Sequence, residues 1–116
     1  MGTFVIEGGH QLKGKIQPQG AKNEALQILC AVLLTPEQVT INNIPDIVDV
    51  NKLIALLKKL GVKINKIGSG SYTFKADEVN LKYLESAEFK EDGRGLRGSI
   101  MIVGPLLARF GKGYIP

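Results

Sequence analysis

Cysteine and histidine occur once each in this chain, as Cys30 and His10, well separated in sequence. A lone cysteine has no disulfide partner and suits a reducing cytoplasm, and one cysteine with one histidine cannot assemble a zinc constellation, so no metal is expected. Aromatic residues make up only 6% of the chain and do not interleave with basic ones, so a platform for stacking nucleobases is missing. Apolar runs are short. The longest, Ala25–Leu34 and Ile100–Ala108, fall well below the length that spans a bilayer. No charged segment followed by an apolar one opens the chain, which predicts a cytoplasmic protein with no membrane partner.

What remains is the composition of a folded globular domain. With 116 residues, 44% hydrophobic and 22% charged, the chain can bury a sizeable core. The net charge of +4 favours anionic partners. Its lysines are scattered (Lys13, Lys15, Lys52, Lys58, Lys59, Lys63, Lys66), which speaks for phosphorylated small molecules over nucleic acid. A basic polyanion-binding module is the alternative, and a steep salt dependence of nucleic-acid binding would mark it.

The chain reads as short elements separated by turn residues. Thr3–Glu7 and Lys15–Gln17 read as strands divided by Gly8-Gly9 and Gly14. Lys22–Leu34 predicts a helix with Pro36 beyond its end, and Val39–Asn42 a strand closed by Asn43-Ile44-Pro45. A second helix runs to Leu60, with Asp46 and Asp49 as capping residues and Gly61 at its end. Its stripe Val50, Leu53, Ile54, Leu57, Leu60 recurs at helical spacing and faces one core. Gly61–Lys66 and Ser71–Ala76 form a hairpin about Gly68-Ser69-Gly70, with Val79–Leu81 as a further short strand. Lys82–Gly95, polar and partly acidic, reads as an exposed loop with at most a helical turn. A third helix is expected from Leu96 to about Arg109, bent near Gly104-Pro105 and ended by Gly111, with Lys112–Ile115 opening a strand.

The most telling residues are Gly20-Ala21-Lys22-Asn23, at the mouth of the first helix. A helix start carries partial positive charge and spare N–H groups, so a lysine there costs about a few tenths of a kcal/mol. A cation, a glycine and an amide at such an end suit an anion from outside the chain. The plainer reading makes Lys22 a solvated surface residue and Gly20 the end of a strand. A weak internal repeat strengthens the first reading. Ile28–Leu34 can be laid over Met101–Leu107, and each helix opens on a glycine followed two residues later by a cation, Gly20/Lys22 and Gly95/Arg97.

Gly20-Ala21-Lys22-Asn23-Glu24-Ala25-Leu26, Asn43-Ile44-Pro45 with Asp49-Val50, Leu96-Arg97-Gly98-Ser99 and Gly104–Gly111 match, in order and spacing, a known family. They resemble the N-terminal part of the enolpyruvyl transferases, in the branch whose acceptor is UDP-N-acetylglucosamine and which opens bacterial peptidoglycan synthesis. The branch acting on 3-phosphoshikimate shows a Lys-Ser pair followed by Asn-Arg, where this chain has Lys22-Asn23 without a following arginine. That branch is the runner-up.

The resemblance implies an α/β fold, an inside-out α/β barrel of β-α-β-α-β-β repeats, here the first repeat and part of the second. It implies that residues 1–20 form a strand segment of the domain otherwise built from the C-terminal half, and that 21–116 form an incomplete first transferase domain. Carried over by position, Lys22 contacts phosphoenolpyruvate, Asn23 faces both phosphoenolpyruvate and the sugar, and Arg97 holds the UDP-sugar; no cofactor is implied. With no acid or apolar burial evident beside it, Lys22 reads as a hydrated point charge and not a base. Asp49 reads first as a helix cap, with support of the substrate site as the lesser alternative. Two features depart from the family pattern: a longer Lys82–Gly95 segment, and Gly98 where alanine is more typical. Cys30 lies among apolar residues mid-helix and is structural. The family's proton-donor cysteine falls beyond Pro116, so this stretch alone is expected to be inactive, and helix faces that later repeats would cover predict self-association.

Overall fold

The computed structural model describes residues 2–115, with Arg97 described in its backbone alone. Residues from Lys22 onward build two layers, helices over a small sheet. Helix α1 (Lys22–Ala31) continues as a 3₁₀ turn through Leu34, and Pro36 lies just past it. The expected span is met in full. Strand β1 (Gln38–Ile41) leads through the Asn43-Ile44-Pro45 turn to α2 (Val48–Lys59), then β2 (Lys63–Gly68) and β3 (Ser71–Lys75). A 3₁₀ turn (Leu81–Glu85), α3 (Ala87–Arg94), a longer 3₁₀ segment (97–102) and α4 (Val103–Phe110) complete the order.

The sheet is antiparallel throughout, in the order β1-β3-β2. Central β3 places Phe74 opposite Val39 on one side and Ile64 on the other, and Phe74 is fully buried under the helices. The stripe of α2 behaves as its spacing requires: Val50, Leu53, Ile54, Leu57 and Leu60 are all buried, in one core with Leu29 of α1, Leu33 of the turn that follows it, and Ile102 and Leu106 of the last elements. Arg109 locks this packing from the edge. Its guanidinium donates to the carbonyls of Leu33 (3.1 Å) and Ala76 (2.7 Å), joining the end of the first helical run to the end of β3, and stacks on Phe110.

Five local expectations are corrected. Thr3–Glu7 and Lys15–Gln17 form no strand among the described residues. A strand exists only through a ladder, and here the arm runs exposed with nothing beside it to pair. Val79–Leu81 is not a strand, because the Asn80 N–H is drawn back to the Leu60 carbonyl at 2.7 Å, turning the chain along the end of α2. The stretch 112–115 likewise forms no strand. Lys82–Gly95 is not an exposed loop. Ser86 caps α3, accepting from the Phe89 N–H at 3.1 Å, and Tyr83, Leu84 and Phe89 are buried. On its outer side Asp92 accepts from the Tyr83 hydroxyl and from Lys59 at 2.9 Å, and these two partners hold its carboxyl below the usual range.

The last helix divides one step earlier than its Gly-Pro pair suggests, at Ile102/Val103. Pro105 thus sits in the first turn of α4, where a missing N–H costs no hydrogen bond.

Candidate functional site

Three helical starts meet on one side of the molecule. The first turn of α1 contributes Lys22 and Asn23, with Leu26 and Gln27 a turn further on. The first turn of α2 contributes Asp49, and the 97–102 segment contributes Gly98, Ile100 and Met101. Together they line an open groove of about 280 Å³.

The start of α1 is set by close backbone contacts. A Cβ on Gly20 would lie 1.9 Å from the Asn43 carbonyl oxygen, so the chain entering α1 rests directly on the turn that precedes α2. That turn is pinned in its own right. Asn43 adopts a positive φ of 58°, and the Ile44 N–H donates to the Gly70 carbonyl at 2.9 Å, docking it on the β2–β3 hairpin. On the opposite wall Gly98 lies against Leu26, where a Cβ would meet a leucine methyl at 3.2 Å. Its departure from alanine therefore has a packing reason, since the 97–102 segment approaches α1 through the missing side chain.

Ala21 occupies the cap position of α1 and gives its first N–H groups no side-chain acceptor. Lys22 is about half exposed, and its Nζ lies 2.7 Å from Asp49 Oδ2. Lys22 therefore does have an acid beside it, contrary to the reading from sequence. Asp49 is also more than a helix-start acid. The cap position of α2 is Ile47, which offers no side-chain acceptor, and the other expected cap, Asp46, accepts instead from the Asn51 side-chain amide at 2.7 Å. An aspartate in a first turn, near enough in sequence to a helix-start lysine, was the available signal. Only the fold shows that the two turns face each other.

Lys22 and Asn23 thus share a groove, while Arg97 is brought to it by its backbone: it opens the segment whose next residue, Gly98, lines the wall. The Arg97 side chain lies outside the described residues. The proposed repeat holds in position but not in conformation, since α1 opens as α-helix and its counterpart opens as 3₁₀. Cys30, buried in the core, has its thiol pushed up to about 12 by burial, which makes it a packing residue and a poor proton donor or nucleophile. Among the described residues no cluster of three His, Cys, Asp or Glu could hold a metal ion, and no helix is long and apolar enough to cross a membrane.

Comparison with known proteins identifies the family. The profile of the family described as EPSP synthase (3-phosphoshikimate 1-carboxyvinyltransferase) matches residues 6–115. A Bacteroides thetaiotaomicron protein named UDP-N-acetylglucosamine 1-carboxyvinyltransferase is 60% identical over 115 residues, covering 99% of this chain and 26% of the relative. Proteins of the same name from Bacteroides fragilis and Porphyromonas gingivalis are 61% and 54% identical, covering 99% and 100% of this chain. The chain spans about a quarter of the length of these curated relatives. With a match running almost end to end, the chain belongs to the EPSP synthase family of enolpyruvyl transferases.

Proposed function

We propose that this chain is part of an enzyme that transfers the enolpyruvyl group of phosphoenolpyruvate to the 3-hydroxyl of UDP-N-acetylglucosamine, releasing phosphate, as the first committed step of peptidoglycan synthesis. One observation carries the choice of acceptor: identity of 54–61% along the whole chain to proteins bearing that enzyme's name. The groove supplies chemistry that fits. The sugar oxygen adds to C2 of phosphoenolpyruvate while C3 takes a proton, giving a tetrahedral intermediate. Loss of the C3 proton and of phosphate then restores the double bond.

Charge gathers on carboxylate and phosphate along that path, and Lys22 is the cation at hand. The Asn23 amide can both donate and accept, which suits a hydroxyl that must be held and then lose its proton. Arg97 is assigned to the UDP-sugar. In this reading residues 1–20 belong to a second domain, 21–116 to an inside-out α/β barrel, and the substrates meet between the two. The protein works in the cytoplasm and needs neither metal nor cofactor.

The test is kinetic. In the full-length enzyme Lys22→Ala should remove about 3–4 kcal/mol of transition-state stabilisation, a loss of several hundredfold in turnover. The 116-residue chain alone should show none. A near-normal Lys22→Ala enzyme would overturn the assignment. Faster transfer to 3-phosphoshikimate than to UDP-N-acetylglucosamine would move the protein to the other branch.

A further inference from the structure

We propose that Asp49 is the positioning residue of Lys22, holding the lysine ammonium over the groove in the place where the anionic donor is received. The inference rests on the reading of the groove as the phosphoenolpyruvate site and extends it to a residue of α2. Its basis is the 2.7 Å contact between Lys22 Nζ and Asp49 Oδ2, made by two side chains that both line the groove.

The need for such a partner follows from the lysine itself. Its four-carbon stem is flexible, and at the first turn of α1 the helix field repels its charge. Left alone, the ammonium would spread over many rotamers and away from the helix end. Asp49 stands in the first turn of α2, where the local field favours a carboxylate. It is therefore a settled anion facing an unsettled cation. An ammonium carries three N–H donors, and the contact with Asp49 uses one, leaving others for a ligand.

A purely structural role explains the pair poorly. The side chains are 51% and 35% exposed, and ion pairs that open to solvent contribute little to stability. The two helices are already joined by the Leu29–Leu33 and Val50–Leu57 core and by the contact of Gly20 with the turn at Asn43. What the ion pair adds is a defined place for the ammonium.

The experiment compares Asp49→Ala and Asp49→Asn with wild type in the full-length enzyme, each also made in the Lys22→Ala background, with thermal unfolding measured alongside. Asp49→Ala should raise KM for phosphoenolpyruvate about tenfold, the size of one lost charge-assisted contact, and leave KM for the UDP-sugar within about twofold. Asp49→Asn, nearly isosteric and still able to accept from lysine, should fall between and unfold as wild type does. In the Lys22→Ala background, phosphoenolpyruvate affinity by titration calorimetry should be unmoved by either change, because the group that Asp49 positions is gone. Equal losses in both backgrounds, parallel rises in both KM values, or an unchanged donor KM would overturn the proposal while leaving the donor site intact. Normal donor affinity in Lys22→Ala alone would sink the donor site and this inference together.

Discussion

Gly20 has no side chain because the Asn43 carbonyl occupies the space. An ideal Cβ there would meet that oxygen at 1.9 Å and the Pro45 ring at 3.0 Å, distances that only backbone movement can relieve. The turn has little freedom to move, held by the Ile44–Gly70 hydrogen bond and by the positive φ of Asn43. Gly20→Ala should therefore cost about 2–3 kcal/mol of stability in denaturant unfolding. It should also lower turnover in the full-length enzyme, since the strain is released next to Lys22. An unchanged midpoint would mean that the entry to α1 is not seated on the turn. At this scale the sequence reveals half of the candidate groove. Lys22 and Asn23 are legible because a glycine, a cation and an amide at the head of an apolar run break the usual capping pattern. The pairing of Asp49 with Lys22 is not, because it joins residues 27 positions apart and depends on the angle that the Asn43 turn imposes on two helices; an acid in a first turn is indistinguishable, in sequence, from an ordinary dipole contact.

Among the elements, α3 is the instructive case. Its eight residues include three acids, a glycine and a single large apolar side chain, too little for a periodic signal. Its stability comes from outside its own span. Ser86 bridges the preceding turn to the helix by donating to the Tyr83 carbonyl at 2.6 Å and accepting from Phe89, and the Tyr83 and Phe89 rings pack edge to face with centroids 5.6 Å apart. Ser99 fastens the far end, its buried hydroxyl directed at the Gly93 and Leu96 carbonyls. The long stripe of α2 was readable because its burial repeats along one helix, whereas the burial of Tyr83, Leu84 and Phe89 is shared between two short elements. Phe89→Ala offers a sharp check. A side chain in a solvated loop would lose almost nothing, but one buried as here should cost about 3–5 kcal/mol in chemical denaturation. The same change should loosen the 97–102 segment that α3 supports, weakening binding of the UDP-sugar more than of phosphoenolpyruvate.

For the molecule as a whole, the N-terminal arm dominates the shape. The radius of gyration is 17.4 Å, against about 13 Å for a compact chain of this length. The excess comes from residues ahead of α1, where Phe4, Val5, Ile6, Leu12 and Ile16 are each at least 85% exposed. Ile28, Leu34 and Leu107 add exposed apolar surface on the helices. Short runs set off by Gly8-Gly9 and Gly14 explain the expectation of strands there, but the ladder they would join is not among the described elements. A chain presenting unpaired backbone and apolar side chains in this way recruits whatever surface can cover them. In isolation the only such surface is another copy. Light scattering on the 116-residue chain should thus give an apparent mass that climbs with concentration above 12.6 kDa. Replacing Phe4, Ile6 and Ile16 by serine separates the two sources of association. If the arm drives it, the variant should return to the monomer mass; if association persists undiminished, the helix faces around Ile28, Leu34 and Leu107 carry it. A wild-type chain that stays monomeric at high concentration would mean that neither surface is adhesive enough to require a partner.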